Sequence, residues 1–344
     1  MWRRLPAVLS LFVLSPMVAE YLLGSLPVAM IGILPVMALM YGSAAVLIRE
    51  VARRAGRGWV SIALLACAYG FIEEGLVTQS LFNPNYLGLR LLDFGFMPAL
   101  GTALPWLIYV ISIHVVWSIC VPIGLVESLF PAKRDEPWLG PIGIGVFSLL
   151  LVAGCGLVAI FTYKQRPFMA SWVQLTSTAL IVAALIAVAL KWPAAKRGTA
   201  PAPHAIVLFL AALIFGSALM VLQQLAQARL HWNPIECVLA IVALQAAFIG
   251  FMTVFTRGKV WNDRQRFALM AGGFLTYAWI GFPLDVELHG KADLHAHAIL
   301  AAMMCLVLAI AGYRCFKSSK CQPESAEREP KESSMRSTST ASLT

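Results

Sequence analysis

Long apolar runs separated by short polar gaps make up most of this chain. Ten runs of about 20 residues, roughly the length that crosses a bilayer as a helix, lie near residues 5–24, 27–48, 59–78, 105–130, 140–161, 170–190, 205–224, 235–256, 267–284 and 297–315. The pattern predicts an all-α fold, a polytopic transmembrane helical bundle within residues 1–317. Residues 318–344 are rich in Ser, Glu, Lys and Thr, which predicts a disordered cytoplasmic tail.

The gaps between the runs differ in their content of lysine and arginine. With the N-terminus inside, the inside gaps and the tail contain Arg49, Arg53, Arg54, Arg57, Lys133, Arg134, Lys191, Lys196, Arg197, Arg257, Lys259, Arg264, Arg266, Arg314, Lys317 and Lys320. The outside gaps contain Arg90, Lys164, Arg166, Arg229 and Lys291. Because basic loops stay in the cytoplasm, we predict that both termini are cytoplasmic and that the protein is a multi-pass protein of the cell membrane.

Composition supports the membrane class and excludes others. Hydrophobic residues make up 60% of the chain and charged residues 12%, with a mean hydropathy of +0.78, far from the balance of a soluble domain. The net charge of +9 follows from the basic gaps, so it indicates no nucleic acid partner. The predicted partner is the lipid bilayer. The seven cysteines lie mostly in apolar runs and none lies in an outside gap, so no disulfide framework is predicted.

Two adjacent glutamates, Glu73 and Glu74, lie inside the third apolar run. An acidic side chain at the centre of a transmembrane helix costs about 2.5–3.5 kcal/mol on insertion scales. Two in succession therefore need a partner, a water-filled cavity or a function. Glu74 shares a helix face with Cys67, Gly70 and Thr78, a strip of small and polar residues that suits close helix packing or a cavity.

The next run contains His114, followed four residues later by Ser118. At about 1.5 Å per residue, the glutamates lie roughly 6–9 Å and His114 roughly 15 Å from the predicted outer boundary. These depths let the three side chains meet if the two helices pack together. A protonated and an ionised carboxyl form a usable general acid and base, and an imidazole can stabilise an oxyanion or position water. We predict Glu73, Glu74 and His114 as catalytic residues, partly covered by the apolar connection 79–104.

The stretch Tyr69-Gly-Phe-Ile-Glu-Glu-Gly-Leu-Val-Thr-Gln, followed by Ile113-His-Val-Val-Trp-Ser-Ile, resembles the glutamate-type intramembrane proteases. This group includes the CAAX-processing and bacteriocin-immunity enzymes and the anti-sigma-cleaving proteases. The resemblance covers about 50 residues and implies that a glutamate activates water for peptide hydrolysis, with Glu73 and Glu74 as the paired glutamates and His114 as the first histidine.

The chain departs from the CAAX-type pattern at several positions. No arginine follows the glutamate pair at the expected position, which is Thr78, and Val110 replaces the expected Phe before the histidine. No second histidine motif with a trailing Asn is present, because His297 is followed four residues later by Ala301. The first 140 residues also resemble uncharacterised bacterial integral membrane proteins, through Ile48-Arg-Glu-Val-Ala-Arg-Arg and Leu81-Phe-Asn-Pro-Asn-Tyr.

A second polar cluster lies in the last predicted outside loop and contains Asp285, Glu287, His289, Asp293, His295 and His297. Histidine and carboxylate side chains suit transition metals, but the spacing matches no familiar metal motif. We interpret the cluster as solvated loop polarity and predict no metal and no cofactor.

Two further glutamates lie near the ends of apolar runs. Glu20, near the predicted outer interface, either joins the site or is wetted there. Glu127, near the inner end, has Lys133 and Arg134 close by in sequence.

Three functions remain open from the sequence. The first is an intramembrane glutamate-type peptidase that uses the Glu73, Glu74 and His114 site on a membrane peptide or a small-molecule substrate. The second is a transporter coupled to protons or cations through the same carboxylates, since buried acids also serve such relays. The third is a non-catalytic membrane scaffold in which the polar residues hold helices together.

Overall fold

The computed structural model describes residues 4–194, 198–228 and 231–320. Ten helices in these residues are long and apolar enough to cross a membrane, which confirms the predicted all-α polytopic fold. They are α1 (Leu5–Leu22), α2 (Val28–Arg54), α3 (Trp59–Val77), α4 (Leu104–Leu129), α5 (Pro141–Gln165), α6 (Trp172–Lys191), α7 (Ala205–Ala228), α8 (Pro234–Thr256), α9 (Asp263–His289) and α10 (Leu294–Lys320). The predicted tail lies outside the described residues, except for 318–320, which continue α10.

Strands are minor in the described part of the chain. β1 (Phe96–Met97) pairs antiparallel with β2 (Thr102–Ala103) inside the long connection between α3 and α4. β3 (Ala200–Pro201) pairs in parallel with β4 (Lys259–Val260) and joins two other connections. Each strand has two residues, so these pairs fix loops and build no layer of the fold.

The helices form a buried centre and an exposed periphery. The share of buried residues is 61% in the apolar window of α3 and in that of α4, but 6% in that of α8. On α5, Ile142 is 84% and Leu149 72% exposed, as expected where an apolar side chain faces lipid. The centre consists of α1–α4 and α9. The two glutamates and the histidine predicted as a site therefore lie on helices that are largely shielded from lipid.

The two ends of the bundle differ in chemistry. The arginine end, which holds the connections after α2 and α4, contains a buried ion-pair network. The Nε of Arg49 donates to Glu127 at 3.0 Å, and Arg53 binds the same carboxylate at 2.7 Å. Arg49 also donates to the backbone carbonyls of residues 133, 134 and 136. The partners of Glu127 are therefore Arg49 and Arg53 of α2. The basic residues that lie close to Glu127 in the sequence, Lys133 and Arg134, do not indicate this pairing. The opposite end, called the long-loop end, holds the connection 78–103.

The orientation of these two ends in the membrane is a prediction from the basic gaps. We expect a reporter fused after Arg57, at the arginine end, to lie in the cytoplasm, and one fused after Asn85, at the long-loop end, to lie on the other side. Alkaline phosphatase and green fluorescent protein fusions distinguish the two compartments. If both positions report the same compartment, the assignment of α3 as a transmembrane helix is wrong.

Candidate functional site

Glu73, Glu74 and His114 lie together in the centre of the bundle. The Nε2 atom of His114 is 2.7 Å from Oε1 of Glu74, and its Nδ1 atom is 3.3 Å from Oε2 of Glu73. All three residues are buried, with exposed fractions of 2% for Glu73, 7% for Glu74 and 4% for His114. The predicted convergence of the three side chains is confirmed. Their predicted catalytic role stays a prediction.

Glu74 and His114 are held on their far sides by hydroxyl groups. The Oε2 atom of Glu74 accepts hydrogen bonds from Thr78 at 3.2 Å and from Ser80. The Oγ atom of Ser118 lies 3.2 Å from Nδ1 of His114, which agrees with the shared helix face expected from their spacing. These contacts fix one atom of each group and direct the other, Oε1 of Glu74 and Nε2 of His114, toward one another.

Glu73 is satisfied less completely than Glu74. Its Oε2 atom is buried and has no hydrogen-bond partner among the described residues. The hydroxyl groups of Tyr41 and Tyr69 approach the Glu73 carboxylate. A buried acceptor without a donor is unfavourable by about 1–3 kcal/mol, so this oxygen is available for a water, a proton or a cation.

A glycine lets α3 and α4 approach closely enough to form the site. A Cβ atom added to Gly70 would lie 3.3 Å from the Cβ of His114, tighter than an ordinary contact. Gly70 lies one turn before Glu74 on the same face. The small residues on the strip that contains Glu74 therefore serve close helix packing, as the sequence pattern predicts.

Four short π-helical segments surround the site, and each carries one or two of its polar residues. They are Met17–Leu22 with Glu20, Ala38–Gly42 with Tyr41, Ile72–Val77 with Glu73 and Glu74, and His114–Cys120 with His114. A π turn inserts a residue into a helix and changes the direction of the side chains beyond it, and such turns are frequent at functional sites. Sequence spacing at 3.6 residues per turn does not predict them.

Glu20 and Tyr41 extend the polar cluster toward the long-loop end. The Tyr41 hydroxyl donates to Glu20 at 2.5 Å, and the Ser25 hydroxyl donates to the other Glu20 oxygen at 2.6 Å. The Tyr41 ring stacks on the His114 ring with centroids 6.0 Å apart. Glu20 therefore joins the site through Tyr41, which decides between the two roles left open for it. Tyr41 itself was missed, because a single tyrosine in an apolar run carries no signal.

The connection 78–103 covers the site, as predicted, through its first residues. Besides binding Glu74, the Ser80 hydroxyl accepts a hydrogen bond from Nε1 of Trp106 at 3.3 Å, which ties the connection to the start of α4. Further along, burial and the nearby carboxylates of Glu74, Glu20 and Glu73 raise the pKa of Tyr86 well above its ordinary value. Tyr86 thus stays neutral and adds no charge above three acidic side chains.

The interpretation of the late polar cluster as solvated loop polarity was wrong for Asp285, Asp293 and His297, which are buried, whereas Glu287 and His295 are exposed. Asp285 and His289 lie in α9, His297 lies in α10, and only residues 290–293 connect the two helices. Asp285 and His297 are 0% exposed, and the side-chain polar atoms of both lack a hydrogen-bond partner among the described residues. The carboxylate of Asp293 accepts from the backbone N–H of Val28 at 2.5 Å, so it caps the start of α2. Extension of both helices beyond the predicted bounds, rather than a loop, accounts for these positions.

The fold and the site define the class of protein: a polytopic helical membrane protein with a buried site of carboxylates and one imidazole. The family model described as "Uncharacterized membrane protein family" matches residues 9–317, and the chain belongs to this family. Membership supports an integral membrane protein and a multi-pass location, and it adds nothing to the resemblance to glutamate-type proteases. No curated protein and no solved structure matches the chain.

Proposed function

We propose that this protein is an intramembrane hydrolase of the glutamate type, with Glu73, Glu74 and His114 as its catalytic site. The single observation that carries the proposal is the unpartnered Oε2 atom of Glu73 beside the imidazole of His114. A base needs a free acceptor within reach of the proton that it takes. The second carboxylate, that of Glu74, orients the imidazole as the third member of a catalytic triad does.

The proposed reaction is hydrolysis of a peptide bond in a membrane-embedded substrate. Glu73 accepts a proton from water while the water oxygen adds to the carbonyl carbon. His114 stabilises the charge that develops on the carbonyl oxygen. The proton on Glu73 then passes to the amide nitrogen as the C–N bond breaks, which leaves a carboxylic acid and an amine. Exclusion of bulk water by the surrounding helices strengthens each of these electrostatic interactions.

The proposal is tested with the full-length protein in proteoliposomes, incubated with a pool of synthetic transmembrane peptides in ¹⁸O-labelled water. Mass spectrometry should detect ¹⁸O in new C-terminal carboxyl groups, the signature of hydrolysis. We expect Glu73→Gln to lower the cleavage rate by about 10²–10⁴-fold, the usual contribution of a general base. Glu287→Gln, the same change at an exposed position on α9, is the matched control and should cleave as wild type does. Equal cleavage by Glu73→Gln and wild type would refute the proposal.

A carrier of protons or cations is the second candidate, and the enclosure of the site favours it. The buried carboxylates of Glu73 and Glu74 and the half-buried one of Glu20, linked through Tyr41, resemble a relay, since buried acids in transmembrane helices serve such pathways. The two functions respond differently to Glu73→Asp. A proton carrier should keep part of its flux, measured with a pH-sensitive dye inside the vesicles. A base that positions water within about 1 Å should lose nearly all hydrolysis.

A further inference from the structure

The polar site holds more acidic than basic groups. Glu20, Glu73 and Glu74 lie in one connected cluster, and His114 is the one basic side chain that pairs with Glu73 or Glu74 among the described residues. Carboxylates in a low-dielectric interior need compensation by protons or by a cation. A single imidazole compensates at most one of the three. The cluster is therefore complementary to a positively charged ligand.

The three central side chains are close enough to bind one ion. One ligand atom from each of Glu73, Glu74 and His114 lies within 4.8 Å of the others. Two ligands of the same metal ion, each bound at about 2.0–2.2 Å, are separated by no more than about 4.4 Å. Glu74 faces Nε2 of His114 and Glu73 faces Nδ1, so the Glu73 side chain would have to rotate toward Nε2 for one ion to reach all three. The unpartnered, buried Oε2 of Glu73 is an independent sign of a ligand position, because a metal ion would satisfy it.

The surrounding contacts are those that a metal site requires. A histidine that binds a metal through one ring nitrogen almost always hydrogen bonds through the other, and ligating carboxylates are themselves hydrogen-bonded. With Nε2 of His114 as the ligand, Nδ1 has the Ser118 hydroxyl as its partner. The Oε2 atom of Glu74 is bound by Thr78 and Ser80, which leaves its Oε1 atom for the metal.

We propose that Glu73, Glu74 and His114 bind one divalent transition-metal ion of the Zn²⁺ type. Mixed imidazole and carboxylate ligands favour such ions over Mg²⁺ and Ca²⁺, which take oxygen ligands alone. Three protein ligands leave a position open for water, as in catalytic zinc sites. The proposal rests on the site of the proposed function, to which the ion would supply a Lewis acid. It replaces the expectation from the sequence that no metal binds.

The test uses full-length protein in detergent micelles, freed of metal with a chelator and then titrated with Zn²⁺. Equilibrium dialysis followed by elemental analysis should give one ion per chain. We expect Glu73→Gln and His114→Ala each to weaken binding by more than about 100-fold, and Ser118→Ala to weaken it by about 10–100-fold, the usual effect of losing a ligand's supporting hydrogen bond. Co²⁺ as a second probe should give a visible spectrum that changes in the ligand variants.

Two controls separate this site from others. His295→Ala removes an exposed histidine of the late cluster and should leave Zn²⁺ binding unchanged. Glu73→Asp keeps a carboxylate and should bind Zn²⁺ more weakly than wild type but more tightly than Glu73→Gln, the order expected if the carboxylate is a ligand; thermal unfolding of Glu73→Gln checks that this variant is folded. Binding that is absent in wild type, or unchanged in both ligand variants, would overturn the metal site.

The outcomes for metal and for hydrolysis are independent. Hydrolysis that survives complete removal of metal would refute the Lewis-acid role of the ion and leave the glutamate-type hydrolase in place, while the dialysis experiment decides whether the ion binds. Metal binding without cleavage of any peptide, together with metal flux into vesicles that Glu73→Gln abolishes, would confirm the ion site and identify the protein as a cation carrier. Hydrolysis that is lost with the metal and restored by Zn²⁺ would confirm the ion site and the hydrolase, and it would make Glu73 a ligand of the ion instead of the free base that accepts the proton from water.

Discussion

Replacing Glu127 with alanine is expected to lower the free energy of unfolding by about 3–5 kcal/mol, because removal of one partner leaves buried charges uncompensated. Glu127 is 3% exposed and binds Arg49, which is 0% exposed, and Arg53 at the same carboxylate. After the substitution, Arg49 keeps its hydrogen bonds to backbone carbonyls and its contact with the Trp138 ring but has lost the carboxylate that it binds directly. Thermal unfolding in detergent micelles, followed by circular dichroism, measures the loss.

The matched control is Glu136→Ala, which breaks an ion pair with a similar nitrogen–oxygen distance at the same end of the bundle. Glu136 binds Arg4 at 2.8 Å, but the two side chains are 51% and 40% exposed. Exposed pairs contribute about 0–1 kcal/mol, so this variant should unfold close to wild type. If Glu127→Ala and Glu136→Ala have similar effects, the arginine end is hydrated more than its burial indicates, and the buried network is not what joins α2 to α4.

The number of the helices and the limits of most of them could be predicted from the sequence because the bilayer fixes the length of an apolar run, whereas α9 and α10 extend beyond their predicted bounds. Prolines and glycines mark many of their ends, such as Pro141 at the start of α5. The pairing of Arg49 with Glu127 could not be predicted, since it depends on which helices become neighbours across 78 residues of chain. Periodicity and basic gaps carry no information on that choice.

The candidate site could be predicted in part. Glu73, Glu74 and His114 were found because acidic and basic side chains in apolar runs are rare and unfavourable. Tyr41 and Ser80 were not found, because a hydroxyl group at the end or inside an apolar run is common. The interpretation of Asp285 and His297 as loop residues fails for a related reason. Polarity near the end of an apolar run predicts a loop, but α9 and α10 extend beyond the apolar runs, contact the end of α1 and bury both side chains.

The two adjacent glutamates occupy different environments. Their roles can therefore be distinguished by the effect of each replacement on the free energy of unfolding. Glu74 has three polar partners, His114, Ser80 and Thr78. Glu73 has a buried oxygen that accepts no hydrogen bond from the described residues, although it lies 3.3 Å from Nδ1 of His114. Residues retained for function are often unfavourable for folding, and their replacement then stabilises the protein while activity is lost. By this reasoning, Glu73 is the residue whose position only function explains.

Glu73→Gln is therefore expected to raise the free energy of unfolding by about 1–3 kcal/mol, because the amide removes a buried charge and replaces an acceptor that has no donor with an N–H group that can donate, while hydrolysis is lost. Glu74→Gln should lower it by a similar amount, because hydrogen bonds to a charged group contribute about 1.5–3 kcal/mol each and the amide replaces them incompletely. Both variants are unfolded thermally with a chelator present, since a bound ion would stabilise the folded state of wild type. Effects of equal sign in the two variants would show that Glu73 has a structural partner, such as Tyr41 or Tyr69, and would remove the main argument for it as the free base of the site.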